Sequence, residues 1–245
     1  MLFRSTRGLG TVDGQGPLGA LGQGGVATLQ IGGRDGIPTT GVAAVVLNLT
    51  GIAPTRGTYV IGYPSGEAQP MASTINLPPG VVVPGQLVGK LGATGAVDFA
   101  NALGSIDLAA DVQGYIPAGA GNYHALSPTR ILDTRPGAPR SPVTATPGQP
   151  IGANAAINVS TAFAGIPSGA HAVVVNITGI EPSAGTYLAA YASGTTRPNA
   201  STLNVDPGEV RANLALVPVG QGGTFALYNA VGSTHVAVDI VGYFG

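Results

Sequence analysis

The chain of 245 residues contains no cysteine, which removes disulfide frameworks, thiolate metal sites and cysteine nucleophiles from consideration. It contains one lysine, Lys90, and only 9% of its residues are charged, for a net charge of -1. A basic stripe able to neutralise phosphates is therefore missing, and nucleic acid is not an expected partner. No apolar run approaches the ~18 residues of a membrane span, and MLFRSTRGLG holds no apolar stretch long enough for a signal peptide. Metal ligands would have to come from three histidines (His124, His171 and His235) and eleven carboxylates, and no HExxH or EF-hand pattern arranges them. No metal or cofactor is expected.

What the chain does hold is glycine (40), proline (20) and short β-branched runs. The runs can be buried, so disorder is not expected despite the glycine and proline content. Nine arginines against one lysine, with abundant Ala, Gly and Pro, is the usage of GC-rich codons.

A tandem duplication organises these runs. Shifting the chain by 128 residues lays GVAAVVLNLTGIAPTRGTYVIGYPSG (41–66) over GAHAVVVNITGIEPSAGTYLAAYASG (169–194), and about 33 of 75 positions from Gly41 to Tyr115 are identical. Before Gly41 the copies match more loosely, with FRSTRGLGTVDG (3–14) set against LSPTRILDTRPG (126–137). The expected organisation is a degenerate first repeat over 1–116, a linker over 117–125 and a second repeat over 126–245. In each copy, runs such as AVVVNIT, TYLAAYA, STLNV and HVAVDIVGYF are separated by Gly and Pro turns, without helical periodicity. Seven or eight strands per copy imply an all-β fold of two tandem β-sandwich domains, with jelly-roll-like connectivity compatible with the count.

Several polar constellations recur. A Thr-Arg pair near the start of each copy, Thr6-Arg7 and Thr129-Arg130, and an aspartate near each end, Asp111 and Asp239, suggest a clasp between first and last strands. The expected pairs are Arg7 with Asp111 and Arg130 with Asp239, because an arginine fork suits a partly buried carboxylate. Asp133-Thr134-Arg135 is complete only in the second copy; it could hold a carbohydrate, carboxylate or phosphate, but an ordinary solvated turn is favoured. Tyr59, Tyr63, Tyr187 and Tyr191 alternate along one strand face, where core or inter-sheet packing is favoured over a sugar platform. The glycine-rich GQGG segments at 22–25 and 220–223 lack the Lys-Ser/Thr of a phosphate loop and are expected as hairpin turns. Four triplets, at Asn48, Asn158, Asn176 and Asn199, fit the glycosylation sequon; Asn48, Asn176, Asn76 and Asn204 recur and are expected to bond the backbone. Ser233, His235 and Asp239 spell a triad but share one strand face at successive spacings, so no catalytic residue is assigned.

PTRILDTRPG, AVVVNITGI, GTYLAAYASG, RPNASTLNV and the closing GSTHVAVDIVGYF resemble a repeat domain of secreted and cell-surface proteins of actinobacteria and other high-GC bacteria. The second copy resembles it over 126–245, and the first from Gly41 to Tyr115 without the LDTR element. The resemblance implies an accessory module outside the cell and brings no catalytic residues. Neither a catalytic domain nor an export signal is expected in this chain, a departure from the usual setting that leaves room for a virion protein. The expected function is a non-enzymatic structural or adhesive protein on the exterior of a cell or virus particle, assembling laterally as a homo-oligomer, lattice or filament. The alternative is a module binding cell-wall glycan through Tyr187 and Tyr191 or through Asp133 and Arg135.

Overall fold

The computed structural model describes residues 19–119, 122–138, 148–199 and 201–245, together with the backbone of 3–5. It divides into two compact units, Met1–Ser127 and Pro128–Gly245. The strands of the first are β1 (Phe3–Ser5), β2 (Val26–Gln30), β3 (Val42–Ile52), β4 (Thr58–Pro64), β5 (Ile75–Leu77), β6 (Val82–Gly89), β7 (Ala96–Asn101) and β8 (Asp107–Pro117). The second set is β9 (Tyr123–Asp133), β10 (Ala155–Ser160), β11 (Ala172–Ile180), β12 (Thr186–Ala192), β13 (Leu203–Val205), β14 (Val210–Pro218), β15 (Thr224–Asn229) and β16 (His235–Phe244). A 3-10 turn at Ala162–Ala164 follows β10. Because β9 begins at Tyr123, the last three residues of the expected linker are strand.

Each set forms two four-stranded antiparallel sheets. The first is ordered β1-β8-β3-β6 and β2-β7-β4-β5, the second β9-β16-β11-β14 and β10-β15-β12-β13. Numbered within each copy, both read 1-8-3-6 and 2-7-4-5, the double-sheet order of an eight-stranded jelly roll. Registers repeat as well: Asn48 lies opposite Asp111 on β3 and β8, and Asn176 opposite Asp239 on β11 and β16. Both pairings carry a bulge at the same place, between Val46 and Leu47 and between Val174 and Val175.

Alternation on these strands puts one set of side chains between the sheets. In the first unit Val45, Leu47 and Leu49 of β3 and Leu108, Ala110 and Val112 of β8 meet Val60, Ile75, Leu77 and Phe99 from the facing sheet. In the second, Val175, Ile177, Leu188, Phe225, Leu227, Val236, Val238 and Ile240 are fully buried. The sheets approach closely at Gly51 and Gly179, where an added Cβ would lie 2.5 Å from Leu77 Cδ2 and 2.7 Å from Val205 Cγ2.

The expected hairpin turn over 220–223 closes locally, with the Gly220 N–H donating to the Thr224 carbonyl at 2.7 Å, but the strands it joins do not pair. Gly220–Gly223 joins β14 to β15, which lie in different sheets, so the turn is a crossover between layers. Its positive φ values at Gly222 and Gly223 suit that tight arch.

Candidate functional site

Two polar constellations stand out in the second unit. The first lies where β9 runs beside β16. Arg130 presents Nε and Nη2 to Asp239 Oδ1 and Oδ2 at 2.5 and 3.0 Å, and Nη1 to Asp133 Oδ2 at 2.7 Å. Asp133 is also gripped by Arg135, through Nε (3.0 Å), Nη2 (2.6 Å) and the backbone N–H (3.1 Å). Both carboxylate side chains are 1% exposed, and two guanidiniums compensate their burial. Burial pushes the Asp133 carboxyl up, but hydrogen bonds from the Arg135 side chain and amide, with the charges of Arg135 and Arg130, outweigh it and hold the group below the ordinary carboxylate range.

This geometry corrects two expectations. Asp133-Thr134-Arg135 is not a solvated turn separate from the clasp; Asp133 is buried and closes the same network as Arg130 and Asp239. Asp133 has its oxygens engaged by two arginines, so the pair with Arg135 offers no open ligand site. The alignment of the first strands also changes. The register pairs Phe3 with Asp111 and Ser5 with Ala109, and the Thr134 N–H donates to the Val236 carbonyl, which continues that register at an offset of 128. Phe3–Ser5 therefore correspond to 131–133. The expected pair of Arg7 with Asp111 lies outside the described residues. Ser233, His235 and Asp239 have separate engagements: His235 Nδ1 is 3.2 Å from Thr134 Oγ1, the Ser233 hydroxyl donates to Ser183 Oγ at 3.4 Å, and Asp239 takes Arg130.

The second constellation is on the sheet β10-β15-β12-β13. Leu188 and Leu203 face Gly179 of the opposite sheet, within 3.6 Å of its added Cβ, so Tyr187, Ala189 and Tyr191 point outward. Of the expected core or inter-sheet packing only the inter-sheet part is corrected: Tyr187 and Tyr191 pack against Ala189, Tyr228 and Ala230 on the outer face, and Tyr63 is buried with Ile61 and Ala100. Tyr228 joins them from β15, opposite Ala189, while Tyr191 stands opposite Ala226. Tyr187 and Tyr228 have ring centroids 6.1 Å apart at 48°, and Tyr187 and Tyr191 stay partly exposed beside the small Ala189 and Ala230. The Arg197 guanidinium, from the segment between β12 and β13, sits 4.2 Å above the Tyr228 ring and donates Nη1–H to Tyr187 Oη at 3.0 Å. Tyr228 Oη donates to Asn154 Oδ1 at 2.8 Å.

The corresponding face of the first unit differs. Val60 joins the inter-sheet core, so Tyr59 points outward and is 40% exposed. Ala100 stands where the second unit has Tyr228, Gln69 where it has Arg197, and Asp98 where it has Ala226. Asp98 lies opposite Tyr63, whose phenol is pushed up by burial and then by the Asp98 charge.

Sequence reasoning missed Tyr228, Arg197 and the buried asparagines Asn101 and Asn229. Asn229 accepts from Thr186 Oγ1 at 2.7 Å and donates to the carbonyls of Ile151 and Gly152; Asn101 accepts from Thr58 Oγ1 at 2.8 Å and donates to those of Leu21 and Gly22. Their recurrence at the offset of 128 was the available signal. The asparagines that were singled out behave otherwise: Asn48, Asn76 and Asn204 donate to the hydroxyls of Thr50, Ser73 and Ser201 and not to the backbone. Asn158 accepts from the Ser193 hydroxyl at 2.9 Å.

Among the described residues no three His, Asp or Glu side chains gather as a metal site, and no helix is long and apolar enough to cross a membrane. No family model matches the chain, and no curated protein sequence matches it. Among solved structures, the PBSX exported protein XepA is 10% identical, covering 91% of this chain and 83% of that one at a TM-score of 0.27. The N-terminal CBM22-1-CBM22-2 tandem domain of Paenibacillus barcinonensis Xyn10C is 11% identical, covering 100% and 97%, at a TM-score of 0.24.

Proposed function

We propose that the protein is a non-enzymatic adhesive module displayed on the exterior of a cell or virus particle, and that the second sandwich attaches to carbohydrate through the outward face of β10-β15-β12-β13. The observation that carries this reading is the cluster of Tyr187, Tyr191 and Tyr228 on a face floored by alanines. Tyrosine rings give apolar area for the C–H faces of sugars, and their hydroxyls, with Asn154 and Asn158 nearby, give hydrogen bonds. Jelly rolls serve as lectins and capsid proteins among other roles, so the fold is compatible with an exterior role and does not choose between cell and virion. Reading the chain as a relative of the actinobacterial surface repeat points the same way.

The test is binding of the whole chain to an array of cell-wall and capsular glycans, followed by Tyr187→Ala and Tyr191→Ala. At least one glycan is expected to bind, and each variant to weaken it by about tenfold, near 1.4 kcal/mol. An array without binding, or binding indifferent to both substitutions, rejects the reading.

Lateral assembly is a second reading, favoured by the edge strands β6 and β14, where Val82 and Leu216 are 57% and 63% exposed. Light scattering at rising concentration decides it, since a constant monomer mass rejects assembly.

A further inference from the structure

The tyrosine face of the second sandwich has an unusual charge pattern. Strands β10, β12, β13 and β15, reading AAINVS, TYLAAYA, LNV and TFALYN, contribute no acidic or basic residue. The charge over the tyrosines comes from Arg197 alone of the residues in that cluster, and its contacts are a ring and a phenol oxygen. Arg130, Arg135 and Arg211 each pair with a carboxylate, whereas Arg197 has none within ion-pair distance among the described residues. A guanidinium lying over Tyr228 and donating Nη1–H to Tyr187 Oη has further N–H donors with which to take an oxyanion. In the first sandwich the same face has Gln69, Ala100 and Asp98, which would repel an anion. The duplicated faces have thus diverged to opposite sign.

We infer that the outward face of the second sandwich takes an anionic glycan, with Arg197 receiving its carboxylate or phosphate and Tyr187 and Tyr191 packing against the sugar rings. This rests on the carbohydrate reading above and specifies its ligand class. Arg197 is held by Tyr228 and Tyr187 before the ligand arrives, so little side-chain freedom is lost on binding. Charge complementarity then supplies the discrimination between acidic and neutral sugars.

Calorimetric titration of the whole chain with two matched pairs tests this. Oligogalacturonate against its methyl ester switches a carboxylate on and off; phosphorylated against unphosphorylated oligomannose does the same for a phosphate. The charged member of one pair is expected to bind about tenfold tighter than its neutral twin, the pair identifying the source of the charge. Arg197→Gln, which installs the residue of the first copy, is expected to bring the charged member down to the level of its neutral twin measured on the same variant. Equal affinity for charged and neutral members, or a preference that survives Arg197→Gln, overturns the inference while the carbohydrate reading stands. No binding by either member of either pair, to a folded protein, overturns both. An oligomer in sedimentation that is lost on Arg197→Gln or Asp98→Asn would mean that the face meets another copy of the chain, and would also overturn it.

Discussion

Arg130 sits where one guanidinium spans carboxylates on two strands, and removing it leaves Asp239 and Asp133 buried with only Arg135 to compensate the latter. Breaking a buried pair from one side costs about 3–5 kcal/mol, so Arg130→Ala is expected to lower the stability of the second unit by that order at neutral pH. The pH dependence follows from the depressed Asp133 carboxyl. A group whose folded pKa lies below its unfolded value contributes stability that is present above the unfolded value and lost as pH falls through the folded one. In the variant the Asp133 carboxyl loses part of that stabilisation and protonates more readily, so the stability deficit should shrink as pH falls into the acid range. Denaturant titrations of both proteins between neutral and acid pH check this. A deficit constant with pH would mean that Arg130 acts through packing of its stem and not through charge.

Turns carry constraints that a strand pattern does not express. At Gly220 an added Cβ would lie 2.1 Å from the Ser193 carbonyl oxygen, and at the equivalent Gly92 it would lie 2.0 Å from that of Ser65. Both obstacles are backbone, so relief requires the β14–β15 crossover to move. Gly220→Ala is therefore expected to cost about 1–3 kcal/mol, measured by thermal or denaturant unfolding. Gly169→Ala is the control, because nothing lies within 4 Å of its Cβ position; equal costs would place the penalty in chain entropy and not in collision. The strands themselves were legible, since AVVVNITGI and HVAVDIVGYF alternate or run apolar as buried strands must. The crossover was not legible as one, because a glycine turn between two strands reads alike whether they pair or change layers. The clasp was half legible for a related reason. Arg130 and Asp239 could be matched from their places at the two ends of the repeat, but the part Asp133 plays in the same network could not, because an aspartate just before a Pro-Gly turn reads as solvated. Arg197 lay beyond reach: a single arginine in a segment between strands has no periodicity, and its meeting with Tyr228 depends on the order β15-β12-β13.

At the scale of the molecule, one duplicated sequence has kept its sheet order and registers while its outward faces diverged. Asn101 and Asn229, and Gly51 and Gly179, serve the closing of each sandwich and are the same in both copies; the exchanges at Gln69 and Arg197, or Asp98 and Ala226, leave that closure untouched. Each sandwich also owns its core. In the second, Phe225 and Leu227 from one sheet and Val236, Val238 and Ile240 from the other are fully buried, and β9 and β16 lie side by side so that the first and last strands close the fold. A unit of roughly 120 residues buries enough surface to fold alone. The boundary at Ser127 and Pro128 falls inside β9, so a fragment cut there would lose part of the strand that carries Arg130. A fragment running from Tyr123 to Gly245 keeps all eight strands and is expected to give a β-type far-UV spectrum and a single cooperative unfolding transition. Arg130→Ala within it should lower the midpoint of that transition. An unfolded spectrum for the fragment would show that the second core requires the first half of the chain, and that sheet order and buried side chains misstate where the folding unit ends.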